Sequence, residues 1–279
     1  MKKNKNNESI KKEESIWKYI KTNEVKITHN ENLEEFICDY KPNSNKLISI
    51  KELKKEYKQK NNNKLIFDHV NFDIYENDVI ALMGSNGAGK TTIVEIIGDI
   101  MQPTSGEVVF HYEPEIGYEK IGIQFQDNKF PNSLTVKNIL NFVISMSTNN
   151  VDVNTLNEML TVFKLKEFLN FKINKMSGGQ QQRLNVIIAL ISRPKVLFLD
   201  EFTTGLDIAI KNQIKNYILK FAKQNKITIV LISHDTTIVN EMANRFIIIA
   251  KKTKILDATK EEIINKFGSV ETMIEKYII

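Results

Sequence analysis

Cysteine is nearly absent from this chain, whose single thiol is Cys38 among 279 residues. One thiol excludes an internal disulfide framework and a zinc site built from cysteines alone, and it fits a reducing compartment. Long hydrophobic runs are also missing, because no stretch approaches the roughly 18 consecutive apolar residues of a membrane-spanning helix. The Lys- and Asn-rich N-terminus lacks the apolar core of a signal peptide. We therefore expect a cytoplasmic chain, with any membrane part of its machinery supplied by another polypeptide.

A concentrated basic surface is not indicated either. The net charge is +5, and basic residues are interspersed with acidic ones along the sequence. Nucleic-acid binders usually gather Lys and Arg on one face or in a dense arm, so we expect no nucleic-acid partner. A solvated surface of mixed charge is the favoured interpretation, and weak attraction to an anionic membrane surface is the alternative.

The first 46 residues differ in composition from the rest of the chain. They are rich in Lys, Asn and Glu, and the breaker Pro42-Asn43-Ser44-Asn45 lies near their end. We predict an N-terminal extension over residues 1–46, and its composition favours a flexible, solvated tail with a transient helix. Ile10, Trp17 and Ile20 share one face of such a helix, so a docking element for a membrane partner is the alternative.

From residue 47 onward, apolar runs of strand length alternate with helical segments. Strands are predicted at 47–50, 64–67, 70–74, 79–83, 108–110, 121–123, 196–199, 227–232 and 246–249. The run 79–83 is apolar throughout, which is typical of a central strand buried on both faces. Between residues 127 and 176 the signals turn helical, at 136–146, 154–163 and 166–170. These patterns predict an α/β fold in which a helical insertion interrupts a parallel sheet.

A glycine-rich segment follows the strand 79–83 and fits the phosphate-loop pattern G-x-x-x-x-G-K-[ST]. Its residues are Gly84, Ser85, Asn86, Gly87, Ala88, Gly89, Lys90, Thr91 and Thr92. The glycines let the backbone turn its N–H groups inward, and a helix starting near Lys90 points its positive end at the same place. We predict that Lys90 contacts the β- and γ-phosphates of ATP and that the Thr91 hydroxyl ligates Mg²⁺.

An acidic pair, Asp200 and Glu201, ends the predicted strand 196–199. The carboxyl ends of parallel strands are where open α/β sheets bind ligands. Beside a phosphate loop, Asp200 is predicted to face the metal ion, and Glu201 is predicted to reach the attacking water.

The segment Met176-Ser177-Gly178-Gly179-Gln180 resembles the LSGGQ signature of ATP-binding cassette proteins, with Met in place of the usual Leu. Residues 47–279 as a whole are similar to the nucleotide-binding domain of that family. The resemblance implies a P-loop NTPase fold: a RecA-like sheet core, an antiparallel β subdomain and an α-helical signature subdomain over about residues 127–192. Two departures are Asn77-Asp78, where the family has Gly-Glu, and Phe202, where it has Pro.

The resemblance also implies roles for single residues. Tyr57 resembles the aromatic that stacks on adenine, and Gln126 the glutamine that links the metal site to the helical subdomain. Asp207 lies in a D-loop-like segment at the dimer interface, and His234 resembles the switch histidine that contacts the γ-phosphate. Metal ligation is thereby expected of Thr91, Gln126 and Asp200. Catalysis is expected of Lys90, Gln126, Glu201 and His234.

A pair of subunits is the working unit that the resemblance implies. Ser177, Gly178, Gly179 and Gln180 of one subunit would complete the ATP site of the other. The implied partners are ATP, a second ATPase subunit of the same or a related sequence, and an integral membrane permease. The expected location is peripheral, on the cytoplasmic face of the membrane. The string Thr203-Thr204-Gly205-Leu206-Asp207 resembles exporters with separately encoded membrane subunits more than solute importers, so an exporter is expected. A soluble cassette ATPase with an assembly or regulatory role is the alternative function.

Overall fold

The computed structural model describes residues 14–25, 45–58, 63–112, 121–126, 130–147 and 151–278. The chain divides into two compact units. The sheet unit comprises residues 32–126, 193–202 and 215–279, and the helical unit comprises residues 1–31, 127–192 and 203–214. The helical unit thus contains the segment 127–192, which the sequence assigned to the signature subdomain.

The strands belong to the sheet unit and are numbered along the chain. They are β1 Lys46–Tyr57, β2 Lys64–Tyr75, β3 Val79–Met83, β4 Ser105–Phe110, β5 Ile121–Gln124, β6 Val196–Asp200, β7 Thr228–Ile232, β8 Arg245–Ala250 and β9 Thr253–Thr259. Within the described residues, six of them form one sheet in the order β5-β6-β7-β3-β8-β9, parallel from β5 to β8, with β9 antiparallel. Strands β3, β6 and β7 are buried at every position, as apolar runs between two covered faces require.

A second, antiparallel sheet has the order β2-β1-β4 in the described part of the chain. The sequence predicted two strands at 64–67 and 70–74, whereas the structure has the single strand β2. The two predicted segments are separated by an irregularity within this strand: His69 has a positive φ of 51°, and the register with β1 shifts between Phe67 and Val70. The parallel core with an antiparallel β subdomain and a set of helices confirms the predicted fold class.

The helices, again in chain order, begin with α1, of which residues 14–22 are described. The others are α2 Lys90–Ile97, α3 Val136–Met146, α4 Val153–Val162, α5 Gly178–Ile191, α6 Ile208–Asn225, α7 Thr236–Met242, α8 Lys260–Phe267 and α9 Val270–Tyr277. The helix predicted at 166–170 is only a 3-10 turn, Lys166–Phe168. Among the described residues, no helix combines the length and the apolar character that crossing a bilayer requires.

Helix α1 packs within the helical unit, although composition had favoured a solvated tail. Trp17 is 3% exposed and Ile20 is fully buried, so these two residues of the predicted apolar face are covered by this chain itself. Ile10, the third residue of that face, lies outside the described residues. The Trp17 Nε1 donates to Asn141 Oδ1 of α3 at 2.9 Å, and the Tyr19 hydroxyl donates to Asn154 Oδ1 of α4 at 2.8 Å. The amphipathic pattern thus indicates an internal packing helix.

Replacing Trp17 by Ala should destabilise the helical unit by about 3 kcal/mol, because a large buried side chain and its hydrogen bond are lost together. The measurement is amide hydrogen exchange in α3 and α4, together with urea unfolding. The control is Lys18→Ala on the exposed face of the same helix, which should change stability by less than about 0.5 kcal/mol. Equal exchange rates in the two variants would show that α1 does not support α3 and α4.

A buried charge network anchors the start of β3, the strand that precedes the phosphate loop. Arg245 Nη1 donates to Asp78 Oδ2 at 2.9 Å, and Arg245 Nε donates to Asp257 Oδ1 of β9 at 2.8 Å. Burial raises the pKa of Asp78 to about 6, against the opposing effect of the Arg245 charge. The network therefore ties β3 to β8 and β9 at the end opposite to the loop.

Candidate functional site

The loop between β3 and α2 has a backbone that only glycine allows at two positions. Gly89, the N-cap of α2, has φ 94°, and a Cβ there would lie 2.7 Å from Ile66 Cγ2 and from Phe67 Cδ1. At Gly84, with φ 152°, a Cβ would lie 2.2 Å from the carbonyl oxygen of Ile249. Both distances are far below van der Waals contact, so the loop can turn onto the helix N-terminus only with glycine at these positions.

Lys90, the first residue of α2, is folded back under this loop. Its Nζ donates to the carbonyl oxygens of Gly84 at 2.7 Å and Ser85 at 3.1 Å. Burial lowers the pKa of the ammonium, while the charges of Asp200 and Glu201 oppose that effect. A buried cation beside the N-terminal end of a helix is a setting that favours an incoming phosphate.

Thr91 and Asp200 bring two oxygen donors together. The Thr91 Oγ1 donates to Asp200 Oδ2 at 2.7 Å, and Asp200 ends β6 with 4% of its surface exposed. Burial raises the pKa of Asp200, and the hydrogen bond from Thr91 acts in the opposite direction. Hydroxyl and carboxylate oxygens are hard ligands of the kind that Mg²⁺ prefers, so these residues fit that ion.

Glu201 lies directly after β6 in a left-handed conformation, with φ 53°. Its N–H donates to the Ile232 carbonyl of β7 at 2.8 Å, and its Oε1 accepts from the N–H of His234 at 2.9 Å. The imidazole Nε2 of His234 lies 3.9 Å from the same Oε1. A non-glycine residue held at positive φ carries a cost of about 1–3 kcal/mol, which the bonds to β7 and to the His234 backbone offset.

These groups line one cavity of about 580 Å³ in the sheet unit. Its lining residues are Lys64, Ile66, Asn86, Gly87, Gly89, Lys90, Thr91, Thr92, Gln126, Asp200, Glu201, Ile232 and His234. The cavity thus collects residues from the phosphate loop, the acidic pair and the segments after β5 and β7, far apart in sequence. The sequence did not indicate Ile232, Lys64 or Ile66 as site residues. Lys64 and Ile66 belong to β2, and their segment 64–67 was predicted only as a strand.

Tyr57 is not among the described residues that line the cavity. Its hydroxyl donates to Met101 Sδ at 3.3 Å, and its ring centroid lies 5.1 Å from Lys55 Nζ. The structure therefore does not bring Tyr57 to the residues that line the cavity, and its contact with adenine stays a prediction.

The signature segment forms the N-terminus of α5 in the helical unit. Ser177 is the N-cap: its side chain accepts from the N–H of Gln180 at 3.2 Å, and Gln180 Oε1 accepts from the N–H of Ser177 at 2.8 Å. Gly178 is exposed, and a Cβ there would meet no described atom within 4 Å. The segment is therefore a capped helix start with open space beside Gly178, the first residue of α5, and such a start can receive an anion.

Asp207 caps another helix start in the same unit, since its Oδ1 accepts from the N–H of Ile210 at 2.9 Å. The preceding Gly205 lies against the signature: a Cβ on Gly179 would be 3.1 Å from the Gly205 carbonyl oxygen. The predicted D-loop and the predicted signature are therefore neighbours within the helical unit.

Gln124 is a buried polar residue that no sequence motif indicated. Its Nε2 donates to the carbonyl oxygen of Asp200 at 3.1 Å and to that of Phe125 at 2.7 Å. An amide at the last position of an otherwise apolar strand is the signal that could have marked it.

The sheet order, the loop and the acidic pair together define a P-loop ATPase. A family model described as ABC transporter matches residues 67–204. The "Lipoprotein-releasing system ATP-binding protein LolD" of Rickettsia bellii is 32% identical over 209 residues, which are 72% of this chain and 93% of that protein. The "Spermidine/putrescine import ATP-binding protein PotA" of Mycoplasma mycoides is 28% identical over 228 residues, 80% of this chain but only 64% of that longer protein.

A solved structure agrees with these sequence matches. It is a dimeric, post-hydrolysis state of the ATP-binding cassette MJ0796 bound to ADP and Pi, with TM-score 0.66 and 26% identity over 76% of this chain and 98% of that chain. This chain belongs to the ATP-binding proteins of ABC transporters, and it is an ATPase whose hydrolysis is coupled to transport. The expected exporter direction is not supported, because the relatives include a protein named for spermidine and putrescine import.

Proposed function

We propose that this chain binds ATP with Mg²⁺ in the sheet-unit cavity and hydrolyses it as one of two paired subunits. The observation that carries the proposal is the convergence of Lys90, Thr91, Asp200, Glu201 and His234 on one cavity. A buried cation, a pair of hard oxygen donors and a second carboxylate beside an imidazole are the groups that phosphoryl transfer to water uses.

Binding is the task of the loop and Lys90. The loop's backbone N–H groups and the start of α2 hold the phosphates, and the Lys90 ammonium contacts their β- and γ-oxygens. Thr91 and Asp200, together with Gln126 on the cavity wall, would hold Mg²⁺. When bound, that ion neutralises charge that develops on the phosphate oxygens.

Hydrolysis is the task of Glu201 and His234. The Glu201 carboxylate accepts a proton from the attacking water, which makes the oxygen a better nucleophile. The bond from the His234 N–H to Oε1 holds this carboxylate at the cavity wall. The His234 imidazole, whose side chain is 52% exposed, contacts the γ-phosphate and stabilises its charge as the bond to the β-phosphate breaks.

The second subunit completes the site. Ser177, Gly178, Gly179 and Gln180 begin a helix whose open N-terminus suits the γ-phosphate of a neighbouring subunit's ATP. The dimeric state of the related cassette bound to ADP and Pi supports this pairing. ATP then favours the closed pair, because its γ-phosphate has partners on both subunits that are lost on hydrolysis.

The cycle of ATP binding and hydrolysis drives a separate membrane permease. This permease holds the chain at the cytoplasmic face of the membrane. Helix α3 offers a surface for it: Phe142 is 60% exposed and Met146 47% exposed, one turn apart. Large apolar side chains exposed together are typical of a protein interface. The permease sets the direction of transport and the substrate.

Co-purification tests this proposal. The chain, isolated with detergent from its native membranes, should retain an integral membrane protein, and Phe142→Asp should reduce that retention at least about tenfold by placing a charge in an apolar contact. Lys195→Asp, an exposed change in the sheet unit, is the control and should retain the membrane protein. A parent chain that hydrolyses ATP but retains no membrane protein would contradict the proposed permease partner.

A further inference from the structure

Gln124 connects two strand ends that border the cavity. It is fully buried at the end of β5, where its last ladder partner is Leu199 of β6. One side-chain amide donates to two backbone carbonyls, that of Asp200 at 3.1 Å and that of Phe125 at 2.7 Å. The other amide atom, Oε1, is buried and has no hydrogen-bond partner among the described residues.

The strand geometry explains why this amide is needed. The N–H of Glu201 is directed to β7, where it bonds the Ile232 carbonyl. In a trans peptide the preceding carbonyl, that of Asp200, points the opposite way, toward β5. Because the β5–β6 ladder ends at Gln124 and Leu199, this carbonyl lies beyond the last pair, and the Gln124 amide takes the place of the missing backbone donor.

The orientation of the amide follows from its surroundings. With Nε2 and Oε1 exchanged, an oxygen would face two carbonyl oxygens, so the amide is oriented by both bonds at once.

Each of the two carbonyls is next to a residue that lines the cavity. Asp200 carries the carboxylate that accepts from Thr91 Oγ1, and Glu201 follows it immediately. Phe125 is followed by Gln126, which lines the same cavity. One buried amide therefore sets the distance between the acidic pair and the segment that carries Gln126.

We propose that Gln124 is a positioning residue for ATP hydrolysis, which holds Gln126 and Asp200 in the relative position that Mg²⁺ and the attacking water require. It contacts neither ATP nor the metal ion itself. The proposal rests on the function proposed above and adds a residue to it. An apolar side chain of similar length would fill the same space but leave both carbonyls without their donor.

Gln124→Met is the decisive variant, measured as ATP hydrolysis of the full-length chain. We expect kcat to fall about tenfold, with KM for ATP changed less than about threefold, because the loop that binds ATP is untouched. The Mg²⁺ concentration that gives half-maximal rate should rise at least about fivefold, since the donor oxygens lose their fixed separation.

Leu197→Ala is the matched control. Leu197 is also fully buried and lies in β6, so this variant should lower the melting temperature at least as much as Gln124→Met does. Its Mg²⁺ requirement should stay at the parental value. Gln124→Asn keeps the amide donor on a shorter side chain. Its kcat and its Mg²⁺ requirement should lie between those of the parent and of Gln124→Met, and it serves as the second test if Gln124→Met does not fold.

Two outcomes separate this inference from the function on which it rests. Hydrolysis by the parent that Glu201→Gln does not reduce would contradict the proposed site. If Glu201→Gln does abolish it, but Gln124→Met and Leu197→Ala share the same kcat and the same Mg²⁺ requirement, then Gln124 only packs the core and the inference is wrong.

Discussion

Glu201→Gln is expected to lower the ATP turnover rate by about 10²–10⁴-fold while ATP binding is retained, because the variant removes the general base and nothing else. The amide keeps an oxygen that can accept the bond from the His234 N–H, so the local structure should persist. Stopped-flow or steady-state phosphate release gives the rate, and a fluorescent ATP analogue gives the affinity.

The same variant should accumulate as a dimer when ATP is added, since the contacts made by the γ-phosphate are no longer removed by hydrolysis. Size-exclusion chromatography with and without ATP measures this shift. Glu107→Gln, an exposed change on β4, is the matched control and should behave like the parent. Parental turnover in Glu201→Gln would remove Glu201 from the mechanism.

Lys90→Ala should weaken ATP binding about 10–100-fold, because a buried ammonium that would pair with the phosphates is lost. The loss has a local structural consequence as well: the carbonyls of Gly84 and Ser85 lose the donor that holds the loop. Equilibrium binding of ATP and of adenosine separates the two effects, since adenosine has no phosphate and its affinity should change little.

Lys64→Ala is the control for that variant, because Lys64 is a second lysine of the same cavity but is exposed at the start of β2. A charge that water screens contributes little to binding, so the ATP affinity of Lys64→Ala should differ from that of the parent by less than about threefold. Equal losses in the two lysine variants would mean that general positive charge, and not the position of Lys90, attracts the nucleotide.

Much of the site could be predicted because local chemistry restricts it. The phosphate loop needs glycine at the positions where a Cβ would meet Ile249 or Phe67. The spacing of these glycines can therefore be recognised in the sequence. The acidic pair was located in the same way, from two carboxylates after an apolar strand. Helices α3 and α4 were predicted to within a residue, as their apolar positions repeat with a helical period.

Other features depended on contacts between distant segments. Trp17 is buried beside α3, which begins more than a hundred residues later in the chain. Strand β9 was missed because its pattern of partly buried residues is weak. The role of Gln124 is visible only when the end of β5 lies beside the Asp200 carbonyl.

The sequence by itself determined the class of chemistry, because the phosphate loop, the acidic strand end and the capped signature helix are each formed by residues that lie close together in the chain. Tertiary structure alone decided which of these groups share a cavity, that Tyr57 is directed to Met101, and that a polar amide completes the sheet beside Asp200. The physical reason is that burial and hydrogen-bond partners are properties of neighbours in space, and the chain order contains them only through the fold.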